Sequence, residues 1–449
     1  MGRLFGTDGA RGIANTEITC ELAMNIGKAA AIVLTEQGSR RPRFLIGKDT
    51  RISGDMLECA IASGLCSVGA DVMLLGVAST PCVAYLVKKY GFDAAFMISA
   101  SHNPCEYNGI KIFKGDGYKL PDETEDKIEK IILEKTSVPF VKTGAAVGRT
   151  ESFEEAVRDY TEYLKTTVDC RFDGFEIALD CANGSASASA EELFSSLGAK
   201  CHMLFSSPDG TNINENCGST HIDALQKYVK DNGLTAGFAF DGDADRVLAV
   251  DENGNLIDGD RIIALCAKHF KDKNRLKKNT AVVTVMTNMG FFEFCKKESI
   301  NYVTAKVGDR YVLEKMTEGG FSVGGEQSGH IIFKDYATTG DGQLTALQVL
   351  SIMKETGKSL SELASVMTVY PQIMINVRVS DMGKARFYDD EEIKNAVKEA
   401  EKSLGENGRV LVRVSGTEPL VRVMTEGRDK KEIERAAKEI ASVVNKRLI

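Results

Sequence analysis

The stretch Ala94-Ala-Phe-Met-Ile-Ser-Ala-Ser-His-Asn-Pro104 joins an apolar run of strand type to a loop that offers a hydroxyl, Ser101, beside an imidazole, His102. Two β-rich runs precede it, Arg43–Gly47 and Asp71–Leu75, with helical patterns between them. The same succession returns twice. Glu176–Asp180 and Cys201–Phe205 precede Ala236–Phe240, which runs into Asp241-Gly-Asp-Ala-Asp-Arg246. Ala281–Val285 and Asn301–Ala305 precede Phe321–Gly324, which runs into Gly325-Glu-Gln-Ser-Gly-His330. Strands alternating with helical patterns predict an α/β fold, and unequal spacings make the recurrence a diverged triplication, not a fixed-period solenoid. Ligands collect beyond the carboxyl ends of strands in open α/β sheets, so three such units facing one another would pool three loops at one cleft.

A chain of 449 residues exceeds what one core supports, and the length points to three or four domains. The expected division is 1–150 with the serine loop, 151–253 with the aspartate loop, 254–368 with the glutamate loop, and a smaller α+β domain at 369–449. In that last segment we expect a strand at Gln372–Val379, a charged helix at Asp389–Leu404, paired strands from Arg413 to Val423 and a helix at Lys431–Leu448. Thr80 reads as a helix N-cap with Pro81 at the first helical position, and Gly91 as the stop after Tyr90. Pro139–Gly148 reads as a linker, as does the turn-rich Asp251–Asp260.

A net charge of −8 from 56 basic and 64 acidic residues argues against a nucleic-acid or anionic-membrane surface. Eleven cysteines with no C-x-x-C pair read as small hydrophobes in a reducing compartment. Met1–Asp8 offers no apolar core of signal-peptide length and no apolar stretch approaches membrane-spanning length, so the expected location is the cytoplasm.

Asp241, Asp243 and Asp245 alternate, a spacing suited to one hard divalent cation. A calcium loop starting at Asp241 would have Glu252 at its twelfth position, but Arg246 stands where that loop needs Gly, and strand-like flanks replace helices. Magnesium is the expected ion. No G-x-S-x-G elbow surrounds Ser101, so a hydrolase triad is the weaker reading and a covalent phosphate carrier the stronger. Three aspartates, a phosphoserine of about −2 and one Mg²⁺ leave about −3, which calls for cations. Arg246, Lys111 in Asn108-Gly-Ile-Lys111 and Arg11 in Gly6–Gly12 stand in what read as Gly-rich turns. Gly47-Lys-Asp-Thr-Arg51 lacks the upstream Gly of a nucleotide loop. His330, beside Glu326 and Ser328, reads as part of a sugar site; His202, His221 and His269 have no such context. Arg413-Val-Ser-Gly-Thr-Glu-Pro419 has the guanidinium, hydroxyls and amides of a phosphate nest.

Taken in chain order, F-G-T-D-G-x-R-G at 5–12, S-A-S-H-N-P at 99–104, D-G-D-A-D-R at 241–246, G-E-Q-S-G-H at 325–330 and R-V-S-G-T-E-P at 413–419 resemble the α-D-phosphohexomutase superfamily over essentially the whole chain. The resemblance implies three related α/β domains with mixed sheets and a smaller fourth around a central cleft. It implies a phosphorylated Ser101 that, with Asp241, Asp243 and Asp245, binds one Mg²⁺, and Glu326 with Ser328 at the sugar hydroxyls. Arg413, Ser415, Gly416, Thr417 and Arg422 would hold the non-reacting phosphate. Lys111, Arg11 and Arg246 would stabilise charge, His102 would flank the carrier, and His330 and Lys111 are the candidates for proton transfer. Gln327 and Val307-Gly-Asp-Arg310 match the glucosamine branch, which implies interconversion of glucosamine 6- and 1-phosphate through glucosamine 1,6-bisphosphate, feeding cell-wall synthesis. The expected partner is a small sugar phosphate, with no nucleic acid or membrane, for a monomer or homodimer. Glucose and mannose phosphates are the competing substrates. A non-catalytic sugar-phosphate sensor and a metal-dependent phosphatase are the competing functions.

Overall fold

The computed structural model describes residues 4–6, 8–35, 41–134, 141–415 and 419–449. It divides into two compact units, Met1–Met286 with Ile300–Val366, and Thr287–Ser299 with Met367–Ile449.

The first unit holds three mixed sheets. β1 (Ala10–Ile13), β2 (Arg43–Lys48), β3 (Asp71–Val77), β4 (Ala94–Ile98), β5 (Tyr107–Lys114) and β6 (Thr150–Ser152) lie in the order β1-β5-β4-β2-β3-β6. β7 (Glu176–Asp180), β8 (Lys200–Leu204), β9 (Ala236–Phe240), β10 (Val247–Val250) and β11 (Leu256–Ile257) lie in the order β11-β10-β9-β7-β8. β12 (Thr280–Thr284), β13 (Asn301–Ala305), β14 (Val323–Gly325) and β15 (Ile331–Phe333) lie in the order β13-β12-β14-β15.

One plan underlies all three. The first strand of each set runs parallel to the two that follow, and the last of the three then pairs antiparallel with the next strand, as in β4–β5, β9–β10 and β14–β15. The turn of each such pair is the motif loop: Ser99–Glu106, Asp241–Arg246, Glu326–His330. β4 and β9 are buried at every residue, which is why they read as unbroken apolar runs and not as alternation.

The structure corrects several expectations. Ser79, not Thr80, caps the helix Thr80–Lys89 by accepting from the Cys82 amide, and Pro81 falls at its second position. Lys111 and Arg11 stand in β5 and β1, not in turns; β5 carries polar residues on buried faces because its lysine is satisfied by carboxylates from elsewhere. Asp251–Asp260 is ordered: Asp251–Gly254 turns the β10–β11 pair and Asp258 caps the helix Gly259–Asp272. At the end of the other expected linker, Lys142 and Gly148 donate to the Ser67 and Cys66 carbonyls, and Thr150–Ser152 joins the first sheet.

The second unit contains β16 (Gln372–Arg378), β17 (Gly408–Val414) and β18 (Leu420–Gly427), antiparallel in the order β16-β18-β17. Two helices, Glu391–Leu404 and Lys430–Leu448, are capped by Asp390 and Asp429, whose carboxylates accept two amides each. The second helix buries Ile433, Ala437, Ile440 and Val444 at helical spacing against the apolar residues of that sheet. All eleven cysteines are free thiols. Among the described residues no helix is long and apolar enough to cross a membrane.

Helices Cys20–Leu34 and Ser53–Ser67 pack backbone to backbone in the first unit. A Cβ on Gly64 would lie 2.2 Å from the Met24 carbonyl oxygen, and one on Gly27 2.7 Å from that of Ile61. Gly64→Ala gains about 1 kcal/mol of helix propensity, whereas overpacking against a rigid carbonyl costs about 1–3 kcal/mol. The expected net result is a destabilised protein, read as a lower denaturant midpoint at unchanged slope.

Candidate active site

The three motif loops of the first unit meet. Ser101 Oγ donates to Asp241 Oδ2 at 2.6 Å, the Val247 amide donates to the Gly329 carbonyl at 3.1 Å, and His330 Nδ1 lies 3.5 Å from Asp245 Oδ1. The approach of the first two loops depends on Gly242, where a Cβ would lie 2.5 Å from the Ser101 carbonyl oxygen. Ser101 itself adopts a left-handed φ of +53°.

Asp241, Asp243 and Asp245 are buried, with ligand oxygens all within 4.8 Å of one another. Asp243 Oδ1 is buried with no hydrogen-bond partner, and the nearest donor to the buried Asp245 Oδ1 is His330 Nδ1, at a long 3.5 Å. Hard oxygen donors left unsatisfied in this way suit a divalent cation of the magnesium type. Burial and the neighbouring Asp245 and Asp243 push the Asp241 carboxyl well above the usual range. Burial acts in the same sense on Asp245, but Lys111 and His330 outweigh it and hold that carboxyl well below.

Lys111, only 2% exposed, supplies the compensating charge. Its Nζ lies 2.8 Å from Asp243 Oδ2, 3.3 Å from Asp245 Oδ2 and 3.2 Å from Asp8 Oδ2. Burial opposes its charge, yet the three carboxylates raise its pKa well above normal, so Lys111 is a fixed cation. Arg246 donates to His102 Nδ1 at 2.8 Å, and that nitrogen is 3.3 Å from Ser101 Oγ. Burial, then Arg246 and Arg11, push His102 down to about 4, leaving a neutral ring that orients the guanidinium. Arg11 pairs with Asp8 at 2.8 Å.

Burial works against protonation of His330, but the Asp245 and Asp309 carboxylates outweigh it and raise the ring's pKa. The Gly340 amide donates to Nε2 at 3.0 Å, which in the neutral ring places the proton on Nδ1, facing Asp245. Glu326 Oε1 accepts the Gly308 amide at 3.0 Å, and Ser328 is exposed. Gln327 donates to Asp258 Oδ2 at 3.3 Å, so its amide is engaged by a helix cap.

Several participants have contacts that neither their motifs nor their spacing foretell. Thr80 Oγ1 donates to Asp243 Oδ2 at 2.5 Å, and Lys119 bridges Asp8 and Asp309. Arg310 donates to the Leu120 carbonyl and Asp122, with Glu125 Oε2 at 3.5 Å. Asp8 and Asp309 stand in the quoted motifs, but nothing in their spacing marks them as partners of one lysine.

In the second unit, Arg413 and Arg422 sit opposite each other in β17 and β18, and Ser415 is buried. Burial, then Arg422, lowers the Arg413 pKa. Gly416 and Thr417 lie outside the described residues.

Four models of the phosphoglucomutase/phosphomannomutase family match this chain: α/β/α domain I at 2–139, domain II at 158–254, domain III at 258–370 and the C-terminal domain at 374–443. The chain therefore belongs to the phosphoglucomutase/phosphomannomutase family, the phosphohexomutases, isomerases that act as intramolecular phosphotransferases. Among its relatives, proteins named phosphoglucosamine mutase from Caldicellulosiruptor saccharolyticus and Thermoanaerobacter sp. are 56% and 55% identical, each covering 100% of both chains. A phosphoglucomutase/phosphomannomutase family protein from Burkholderia thailandensis shares the fold with a TM-score of 0.82 at 23% identity, over 100% of this chain and 99% of that one. N-acetylphosphoglucosamine mutase of Aspergillus fumigatus, solved with GlcNAc-6P and magnesium, gives 0.71 at 19% identity, over 100% and 96%.

Gly242→Ala should push the Ser101 loop away from Asp241 and lower kcat about 100-fold while circular dichroism stays unchanged. A second expectation concerns Glu125, whose carboxyl burial raises to about 7 against the pull of Arg310. The folded state then holds its proton longer than the unfolded chain, so this contribution to stability is present below about pH 4.5 and lost as pH rises through about 7. Glu125→Gln, which mimics the protonated form, should gain on the wild type by about 2 kcal/mol between pH 4.5 and 8 in denaturant titrations.

Proposed function

We propose that this protein interconverts glucosamine 6-phosphate and glucosamine 1-phosphate through a phosphorylated Ser101. The observation that carries the reading is the 2.6 Å contact of Ser101 Oγ with Asp241 inside a buried set of three carboxylates with unsatisfied oxygens. The glucosamine preference is supported by full-length relatives at 53–56% identity named phosphoglucosamine mutase.

In the forward half-reaction the Ser101 Oγ–phosphorus bond breaks and a bond forms from phosphorus to the free sugar hydroxyl, whose proton ends on the released Ser101 Oγ, giving glucosamine 1,6-bisphosphate and the free serine. After the bisphosphate turns end for end, Ser101 takes the other phosphate and the monophosphate isomer leaves. Asp241, Asp243 and Asp245 would hold Mg²⁺ together with a phosphate oxygen of the carrier, where the ion supplies charge neutralisation. Lys111 and Arg246 add fixed positive charge that needs no reorganisation during transfer. Glu326 and Ser328 are assigned to the sugar hydroxyls. Arg413, Ser415, Gly416, Thr417 and Arg422 are assigned to the non-reacting phosphate, where the facing arginines of β17 and β18 favour an anion.

Glucose or mannose phosphates are the second reading, favoured by the family's own description. The test is exchange of ³²P from labelled glucosamine 1,6-bisphosphate onto Ser101 with Mg²⁺ present, alongside Ser101→Ala and turnover of the three sugar monophosphates. Label on Ser101 that chases into glucosamine monophosphate is expected, with EDTA abolishing it and Mg²⁺ restoring it. Equal turnover by wild type and Ser101→Ala with no label on Ser101 sinks the reading.

A further inference from the structure

The loop that carries Ser101 is gripped from both sides through its backbone. Arg51 is only 2% exposed, and its Nε donates to Asp49 Oδ2 at 2.9 Å. Nη2 donates to the carbonyls of Ser101 at 2.9 Å and Asn103 at 2.8 Å, and Nη1 to those of Tyr107 at 3.0 Å and Pro104. All five donors of the guanidinium are thereby used, three of them on the loop and one on Tyr107 at the start of β5. From the second sheet's side, Asn214 Nδ2 donates to the same two carbonyls, Ser101 at 2.9 Å and Asn103 at 3.0 Å. Ser99 closes the arrangement: its hydroxyl donates to Asp49 Oδ2 at 2.6 Å and accepts the Ser101 amide at 2.9 Å.

This concentration of donors has a local reason. A non-glycine residue in the left-handed region costs on the order of 1 kcal/mol or more and persists only where its surroundings over-determine it. Ser101 sits there at φ +53°, and that conformation directs its hydroxyl to Asp241. With the amide tied to Ser99 and the carbonyl tied to both Arg51 and Asn214, the peptide units on either side of Ser101 are fixed.

We infer that Arg51 and Asn214 form a backbone clamp that sets the line of approach of the Ser101 oxygen, as positioning residues that act through the loop and touch no substrate. The inference rests on the reading of Ser101 as phosphoryl carrier. Lysine cannot replace Arg51, because three donors on one nitrogen do not span four carbonyls and a carboxylate. Asn214 stands at φ +58°, so glycine replaces it without backbone penalty and removes only the amide.

The experiment follows single-turnover labelling of Ser101 by saturating ³²P glucosamine 1,6-bisphosphate with Mg²⁺, in wild type, Arg51→Lys and Asn214→Gly. Steady-state kcat and KM for glucosamine 1-phosphate and thermal unfolding accompany it. The labelling rate constant and kcat should fall together, about 100-fold for Arg51→Lys and about 10-fold for Asn214→Gly, with KM within about threefold of wild type. A purely structural role would instead lower the melting temperature and the labelled fraction while leaving the rate constant of the folded molecules unchanged. If Arg51→Lys does not fold, Asn214→Gly decides alone. Wild-type labelling rates in the folded Asn214→Gly protein, or a loss confined to KM, overturn the clamp while leaving Ser101 as carrier. Absence of label from the wild type overturns both.

Discussion

Everything in the first unit's site is organised around one buried ammonium. Lys111 lies in a strand of the first sheet, yet its partners are Asp243 and Asp245 from the second sheet's loop and Asp8 from the amino-terminal segment. Without it the clustered carboxylates would repel one another in a place too dry to screen them, and they would take up protons instead. With it, Asp245 stays ionised, and the cluster keeps oxygens free for a hard cation. Arg246, Arg11 and Lys119 extend the same alternation of charge outward to Asp8 and Asp309. The site is therefore a balanced electrostatic network before any ligand arrives, which is the condition for catalysis by preorganised charge.

Much of this is legible in the sequence. The nine strand runs of the three sets reappear within one or two residues; the central strands β2, β4, β7, β9, β12 and β14 are largely buried and so read as apolar runs, whereas β3, β8 and β13 are partly exposed. Ser101 and the three aspartates are recognisable because chemistry restricts which residues stand at those spacings. Other parts are hidden for physical reasons. β5 reads poorly as a strand because both its faces are buried and each carries a polar residue, Asn108 on one and Lys111 on the other; the lysine tolerates burial only through partners more than a hundred positions away. β6, β11 and β15 are two or three residues long, too short for any periodicity. Asp49, Arg51 and Asn214 lie in polar turns whose composition is that of any solvent-exposed loop; only the fold shows where their donors go.

The glutamate loop shows how a sequence mark and a structural role can part. Gln327 distinguishes this chain by its identity, yet its amide is engaged by Asp258, the cap of a helix, while Glu326 beside it receives the Gly308 amide. Gly308 leads directly into Asp309 and Arg310, which reach Lys119 and the start of the helix Asp122–Leu133. Residues at 307–310 and 325–330 thus form one hydrogen-bonded assembly tied to the first sheet's domain.

Ser101 and Asp241 are 140 positions apart, and Lys119 and Asp309 are 190 apart. During synthesis at about 5–20 residues per second, the serine is made roughly 7–28 s before its aspartate. The first sheet can pair over that interval, since β2 to β5 lie within one short span of chain. Its Lys111 has Asp8 already made but must wait for Asp243 and Asp245. The nascent protein thus completes the charge network around Lys111, and the contact of Ser101 with Asp241, only when the second sheet's loop arrives. The contact of Ser101 with Asp241 is by this order a late act of folding for the first unit.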